Sequence, residues 1–289
     1  MRMPRLVSKK LQASDARHFV GDTMFDRCAR ATCAAGVNMP KKELLENWTL
    51  ASMIHDRYWA RAAAAARRRG RRAAPAPPTS AAPPARVVDV ASGHGLLGWF
   101  LLALCAASRR PNVFAVDRRM PDSAAALRDS FGEAFPALPA RHRYVVADAA
   151  DVDARGGDTL VLALHACGGL SDLVIDAAVG GGASLCLVPC CHSLKTAKMA
   201  PERLAAARRA VDGGAGLDEA LDGQRVAYLE ERGMVVDATK LPEDITPKNT
   251  VLFAAPGVAA PRSRTTAVPI FGAAPRALPR PPSAWRSLT

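Results

Sequence analysis

The sequence predicts an α/β fold, with a seven-stranded, mostly parallel sheet, helices on both faces and an N-terminal helical extension. Two observations support this prediction. Between residues 86 and 256, short apolar runs of strand length alternate with stretches of helix length, a pattern typical of strand–helix–strand crossovers. Polar residues follow several of these runs, as expected where the carboxyl ends of parallel strands face a ligand.

The apolar runs predict the strands and the intervening stretches predict the helices. The predicted strands span residues 87–90, 113–116, 143–147, 159–164, 184–188, 234–241 and 250–254. The predicted helices span residues 96–108, 123–135, 170–178, 203–211 and 217–232. The last two strands are expected to form an antiparallel pair.

The segment before the sheet predicts one amphipathic helix within residues 40–69. Apolar residues recur there at spacings of three and four from Leu44 to Tyr58, and Pro40 suits the first helical turn. Residues 1–39 show no clear period. We therefore divide the chain into a helical extension (1–60), an Arg/Ala/Pro-rich linker (61–85), the main domain (86–256) and a Pro/Arg-rich tail expected to be disordered (257–289).

The basic charge lies outside the main domain. The chain has a net charge of +12, yet residues 86–256 hold 18 Lys and Arg against 21 Asp and Glu. The densest basic cluster, residues 61–72, could contact the phosphates of tRNA or another RNA. The cluster could equally belong to an Ala/Arg/Pro-biased segment that binds no partner, and we favour that interpretation.

Composition also bears on the compartment. No apolar run approaches the length of a membrane span, so no membrane partner is expected. Seven cysteines without a secretion signal indicate reduced thiols and a cytoplasmic protein. The basic first dozen residues offer weak support for organellar targeting instead. The cysteines include no C-x-x-C pair, so no metal site is predicted. The oligomeric state is left open.

A glycine-rich turn follows the first predicted strand. Gly93, Gly95 and Gly98 lie between that strand and an apolar helix. A strand that ends in such a turn brings backbone N–H groups and a helix N-terminus close to a ligand. Dinucleotides and S-adenosylmethionine are both bound in this way, and a strand–turn–helix corner without any ligand is a third interpretation.

Asp89 distinguishes between the two cofactors. It lies inside the first strand, where an ionised carboxylate would repel a pyrophosphate but attract the ammonium and sulfonium groups of S-adenosylmethionine. Asp89, Ala91, Ser92, Gly93 and Gly95 are therefore the candidate cofactor residues at this turn.

Three further residues complete the predicted cofactor site. Asp117 ends the second strand, where a carboxylate can accept both ribose hydroxyls, although it could also be a solvated turn residue paired with a neighbouring arginine. Asp148 follows the third strand and could accept from an adenine amino group, with Asp151 in the same loop as the competing choice. Ala149 offers a backbone N–H to a ring nitrogen of the same base.

The residues carry a family resemblance over roughly residues 40–255. The chain resembles class I S-adenosylmethionine-dependent methyltransferases, which implies a Rossmann-like sheet. More narrowly, it resembles a group of methyltransferase-domain proteins through the motifs LHACGGLSD (164–172) and VPCCHS (188–193), together with PKKELLENW (40–48) and LPEDITPKN (241–249). This group is distantly similar to tRNA ribose methyltransferases and to a methyltransferase domain fused to a glutathione-transferase-like module.

A cysteine–histidine cluster is expected after the fourth and fifth strands. His165, Cys167, Cys190, Cys191 and His192 should converge there. His165 or His192 could be a general base for methyl transfer, which makes both candidate catalytic residues. A metal site and simple packing are the alternatives. Adjacent cysteines usually point to different sides of an extended chain, which argues against joint ligation by Cys190 and Cys191.

These observations predict an S-adenosylmethionine-dependent methyltransferase whose acceptor, with RNA as one candidate, is not identified by the sequence. An NAD-dependent oxidoreductase is the alternative enzyme. A noncatalytic RNA-associated module, which would use the basic flanks for phosphate contact, is the alternative outside enzymes.

Overall fold

The computed structural model describes residues 10–60, 83–108, 111–243, 245–246 and 249–257. Most of the predicted linker and tail, including the basic cluster at 61–72, lies outside the described residues. Among the described residues, no helix is both long and apolar enough to span a membrane.

All seven predicted strands are present. They are β1 (Arg86–Val90), β2 (Asn112–Asp117), β3 (His142–Val146), β4 (Thr159–Cys167), β5 (Ser184–Cys190), β6 (Met234–Lys240) and β7 (Thr250–Pro256). They belong to one sheet with the order β3-β2-β1-β4-β5-β7-β6. The predicted seven-stranded, mostly parallel α/β fold is therefore confirmed.

The helices follow the predicted order, with one addition near the N-terminus. They are α1 (Met24–Ala34), α2 (Lys41–His55), α3 (Leu96–Leu104), α4 (Asp122–Ala134), α5 (Leu170–Gly181), α6 (Pro201–Asp212) and α7 (Leu217–Glu231). The chain separates into two compact units. The first contains β1–β3, α1–α4 and residues 241–249, and the second contains β4–β7 and α5–α7.

In the first unit the strands are parallel. Val87 of β1 pairs with Val113 of β2, and Val113 pairs with His142 of β3. Helix α3 packs on these strands, and α2 packs on α3. Helix α2 continues as a short π-helix (Asp56–Ala60). Pro40 is the N-cap residue of α2 and not, as predicted, part of its first turn.

Helix α1 is absent from the sequence-based prediction. Its first turn is closed by Thr23, whose Oγ1 accepts from the Asp26 N–H at 3.1 Å, while an Asp26 oxygen accepts from the Thr23 N–H at 3.3 Å. Its buried residues are small or polar, which obscures an apolar period: Cys28, Ala29, Ala31, Thr32 and Cys33.

In the second unit, β4 and β5 are parallel, and β7 pairs antiparallel with both β5 and β6. The prediction of a final antiparallel pair is therefore confirmed. Helix α5 packs on β4 and β5, and α7 packs on β6 and α6.

Gly98 allows the close approach of α3 to the first unit's strands. A Cβ atom at Gly98 would lie 2.7 Å from Cγ1 of Val113 and 3.0 Å from Nε2 of His142. The imidazole of His142 stacks on Trp99 with ring centroids 4.0 Å apart, and burial lowers its pKa to about 3. Neither neighbour is the free end of a flexible side chain, so there is no room for a methyl group.

Gly98→Ala should therefore lower the free energy of unfolding by about 1–3 kcal/mol, the usual cost of overpacking a core. The measurement is urea unfolding followed by circular dichroism. Gly223→Ala in α7 is the matched control, because a Cβ there meets no atom within 4 Å and alanine favours a helix. The control should be neutral or stabilising. Equal effects of the two substitutions would contradict the packing argument.

Candidate functional site

The turn after β1 has a left-handed backbone at three positions. Ala91, Gly93 and Gly95 have φ angles of 56°, 54° and 76°, and Gly95 is the N-cap residue of α3. The Ser92 N–H donates to the Val116 carbonyl at 3.1 Å, and the Gly95 N–H donates to the Ser92 carbonyl at 2.8 Å. The predicted strand–turn–helix is therefore present, and its backbone is held by internal hydrogen bonds.

Asp89 is a buried carboxyl group behind this turn. It is 2% exposed, and its Oδ2 atom has no hydrogen-bond partner among the described residues. Burial, with a smaller contribution from the negative charge of Asp117, raises the pKa of Asp89 to about 8. A buried carboxylate is costly unless it is paired, so ionised Asp89 would be stabilised by a cationic ligand.

Asp117 is attached to the turn by its side chain. Its Oδ2 accepts from the Gly93 N–H at 3.0 Å, and its Oδ1 accepts from the Arg118 N–H at 2.7 Å. Each carboxylate oxygen can accept more than one hydrogen bond, so these bonds leave capacity for a ligand hydroxyl. The ribose role of Asp117 stays a prediction.

Tyr144 and His94 also support the turn, and neither was predicted as a site residue. The Tyr144 hydroxyl donates to the Gly93 carbonyl at 2.6 Å, and burial, with the nearby carboxylates, raises its pKa to about 12. His94 Nδ1 lies 2.6 Å from Oγ of Ser123, and burial lowers the pKa of the imidazole. Tyr144 stands in β3 between Arg143 and two valines, and nothing in this pattern marks it as a site residue.

In the second unit, Asp148 begins a short 3₁₀ helix (Ala149–Asp151). Its Oδ1 accepts from the Ala150 N–H at 3.0 Å. The adenine contacts expected of Asp148 and Ala149 stay a prediction.

Strand β4 continues past the predicted end at His165. Its pairing with β5 is irregular between Leu164 and Ala166, and it ends at Cys167. His165 has a φ angle of 63° at this irregularity. The prediction that His165 ends the strand is therefore wrong, because the chain absorbs an extra residue and resumes pairing.

Backbone strain is concentrated at strand ends. Among the described residues, the non-glycine residues with positive φ are Ala91, His165 and Cys191. Ala91 follows β1, His165 lies near the end of β4 and Cys191 follows β5. Such strain costs free energy and is found more often at functional sites than elsewhere.

His192 belongs to a buried ionic network. Its Nε2 lies 2.9 Å from Oδ1 of Asp222, and Arg225 donates to the same oxygen at 2.7 Å. Arg225 also donates to Oδ1 of Asp172 at 2.9 Å, and Oδ2 of Asp172 accepts from the Lys198 N–H at 2.7 Å. The network therefore connects the segment after β5 to α5 and α7.

The side chain of His192 is only 4% exposed, and its Nδ1 has no partner among the described residues. Asp222 thus occupies one ring nitrogen and leaves the other without a hydrogen bond. Asp172 lies in the first turn of α5, within the helix predicted at 170–178, but its pairing with Arg225 was not predicted.

The three cysteines at the ends of β4 and β5 converge. Sγ of Cys167 lies 2.8 Å from Sγ of Cys190 and 3.3 Å from Sγ of Cys191. The expectation that Cys190 and Cys191 point apart is wrong, because Cys191 has a φ angle of 51° and the chain is not extended there.

Comparison with known proteins identifies one family. Residues 72–198, less than half of the chain, match the model of a family described as a methyltransferase domain. The match agrees with the prediction of a methyltransferase over those residues and favours it over the oxidoreductase alternative. The sequence matches no curated protein.

Similar solved structures are remote. An O-methyltransferase family protein from Burkholderia thailandensis is 14% identical, with 89% of this chain and 67% of that chain covered and a TM-score of 0.43. Magnesium protoporphyrin IX methyltransferase from Synechocystis PCC 6803 is 16% identical, with coverages of 85% and 99% and a TM-score of 0.46. A Methanococcus jannaschii fibrillarin pre-rRNA processing protein is 12% identical, with coverages of 59% and 65% and a TM-score of 0.36.

Proposed function

We propose that this chain is an S-adenosylmethionine-dependent methyltransferase. The family match over residues 72–198 supports the reaction class. The observation that carries the cofactor assignment is Asp89, a buried carboxyl group with an unpartnered oxygen behind a glycine turn. A pyrophosphate would add negative charge near this group, whereas a cationic cofactor would compensate it.

The residues of the turn fit such a cofactor. Asp89, Ala91, Ser92, Gly93 and Gly95 would hold its methionine portion, and Asp117 would accept from its ribose hydroxyls. The adenine contacts of Asp148 and Ala149 belong to the same proposal. When bound, the cofactor supplies an electrophilic methyl group on a positively charged sulfur.

The contribution of the protein to such a reaction is mainly proximity and alignment, which can lower a barrier by several kcal/mol. We propose His192 as the general base on the acceptor side, because Asp222 holds one ring nitrogen and leaves the other without a partner. His165 is the second candidate, at the strained position in β4.

The acceptor is proposed to be a molecule that carries a hydroxyl or amine, with tRNA or another RNA as the first class to test. Incubation of the full chain with labelled cofactor and separate RNA, protein and small-molecule fractions of a lysate would identify it. Label in the RNA fraction alone would support an RNA acceptor, and label only in another fraction would contradict it.

Calorimetric titration separates the proposal from its rivals. We expect S-adenosylhomocysteine to bind and NAD not to bind. Binding of NAD alone would favour an oxidoreductase. RNA binding that falls steeply with salt and is lost when residues 61–72 are deleted, without methyl transfer to any acceptor fraction, would favour the noncatalytic RNA-associated module.

Asp117→Ala should weaken S-adenosylhomocysteine binding by at least about tenfold, since hydrogen bonds to a charged group contribute about 1.5–3 kcal/mol. The substitution would remove both the carboxylate predicted to accept from the ribose hydroxyls and its hydrogen bond from the Gly93 N–H. The measurement is calorimetry at pH 8, and Asp129→Ala, an exposed carboxylate in α4, is the control. Unchanged affinity would remove Asp117 from the proposed site.

A further inference from the structure

The thiol cluster, defined as Cys167, Cys190 and Cys191, is built by the backbone of the second unit. Cys167 and Cys190 are register partners on β4 and β5, and the Gly168 N–H donates to the Cys190 carbonyl at 3.2 Å. The left-handed backbone of Cys191 brings the third thiol to the same place. The three sulfur atoms lie within 4.8 Å of one another.

We propose that the thiol cluster binds one thiophilic divalent cation, with Zn²⁺ as the probe. A Zn–S bond of about 2.3 Å in tetrahedral geometry places neighbouring sulfurs about 3.8 Å apart. The sulfur of Cys167 lies 2.8 and 3.3 Å from those of Cys190 and Cys191, and no two of the three sulfurs are more than 4.8 Å apart. Shifts of about one ångström or less would therefore bring them to this spacing. Thiolates are the preferred ligands of zinc and other soft metals.

Binding of one cation to the thiol cluster releases three protons. Each thiol loses its proton to solvent as its sulfur bonds to the cation, so three S–H bonds break and three metal–sulfur bonds form. The complex of one divalent cation with three thiolates carries a net charge of −1. Cys167 and Cys191 are exposed, so the fourth coordination position would face solvent and could take water.

Packing alone does not explain the cluster. Cysteines that fill a core are buried, as Cys28 and Cys105 are, whereas two of the three cluster residues are exposed. A disulfide joins only two thiols, so a disulfide would not account for the third cysteine of the cluster. Burial raises the pKa of the Cys167 and Cys190 thiols, so both are neutral until a cation displaces their protons.

The backbone beside the thiol cluster is held by a buried hydrogen-bond network. Arg225 lies 3.5 Å from the carbonyl of Gly168, the residue that follows Cys167. The buried network of Arg225 with Asp172 and Asp222 fixes this guanidinium. Two carboxylates already balance the charge of Arg225, so its contribution is to hold the backbone beside Cys167, which reduces the reorganisation that binding requires.

Metal binding is tested on the full chain, reduced with a phosphine and freed of metal. We expect about one equivalent of Zn²⁺ to bind in competition with a chromophoric chelator, with release of about three protons. Co²⁺ should give the absorption of cobalt–thiolate charge transfer. Cys167→Ser and Cys191→Ser, at exposed positions that should fold normally, should each weaken binding by at least about tenfold. Each should also lower that absorption, because one of the three cobalt–thiolate bonds is lost.

Cys105→Ala, which removes a buried thiol outside the cluster, is the control and should bind as tightly as the wild type. Absence of stoichiometric binding by the reduced wild type would overturn the proposal, as would serine variants that bind Zn²⁺ as tightly as the wild type does. Formation of a disulfide between Cys167 and Cys190 with oxidised glutathione, by a reduced protein that binds no metal, would identify a redox pair instead. None of these readouts depends on methyl transfer.

Discussion

Replacing Arg225 by methionine should lower the free energy of unfolding by about 3–5 kcal/mol, the cost of removing one partner of a buried ionic network. Arg225 is 2% exposed and donates to Asp172 and Asp222, which are also buried. Methionine keeps an unbranched apolar side chain but leaves these two carboxylates without their cation. Urea unfolding followed by circular dichroism measures the loss.

Arg155→Met is the matched control. Arg155 pairs with Asp153 at 2.8 Å, but its side chain is 71% exposed. Solvent screens such a pair, so its removal should leave the unfolding midpoint unchanged. If Arg225→Met proved as stable as the wild type, the network would contribute nothing to folding, and the assignment of these buried charges as stabilising would be wrong.

Asp89→Asn should stabilise the ligand-free protein while weakening cofactor binding. The pKa of Asp89 is raised from an ordinary value of 3.8 to about 8. Between about pH 4 and pH 8, the unfolded chain has lost this proton and the folded chain keeps it. Wild-type stability therefore falls as pH rises through this window, by up to about 1.4 kcal/mol per pH unit, and levels off above it.

Asparagine cannot ionise, so the variant should lack this slope, and its advantage over the wild type should grow from pH 5 to pH 8. Thermal or urea unfolding at several pH values measures the difference. A difference between variant and wild type that stays constant across this range would show that the pKa of Asp89 is not raised.

The same substitution removes the charge proposed to face the cofactor. Asp89→Asn should weaken S-adenosylhomocysteine binding by at least about tenfold at pH 8, the size expected for a lost charge-assisted hydrogen bond. Asp176→Asn is the control. Burial also raises the pKa of Asp176, to about 6, but its carboxylate accepts a hydrogen bond from the Tyr228 hydroxyl and has no proposed role in cofactor binding. The control should bind normally. Unchanged affinity in Asp89→Asn would remove the observation on which the cofactor assignment depends.

The sequence predicted the fold well because the relevant signals are local. Strand and helix positions follow from apolar periodicity, and the turn at Gly93 and Gly95 follows from glycine's tolerance of positive φ. Helix α1 was missed because its buried face is made of small residues. Its capping signal, Thr23 with Asp26 three residues later, could have located it.

The interior of the site was less predictable because its contacts are long-range. Nothing local pairs Arg225 with Asp172, 53 positions earlier in the chain. The convergence of the cysteines depends on an irregular strand at His165 and a left-handed residue at Cys191, where the side chains give no such signal. Predictions from periodicity assume a regular backbone. The backbone is irregular at both His165 and Cys191, so periodicity could not predict where these side chains lie.

The hydrogen bonds around Gly93 have a consequence for the kinetics of ligand recognition. The Gly93 N–H donates to Asp117, and the Gly93 carbonyl accepts from Tyr144. These bonds order the turn before any ligand arrives. The conformational entropy of this segment is lost when the chain folds and is not lost again on binding. Association at this turn should therefore proceed in one step, at a rate set by diffusion and orientation.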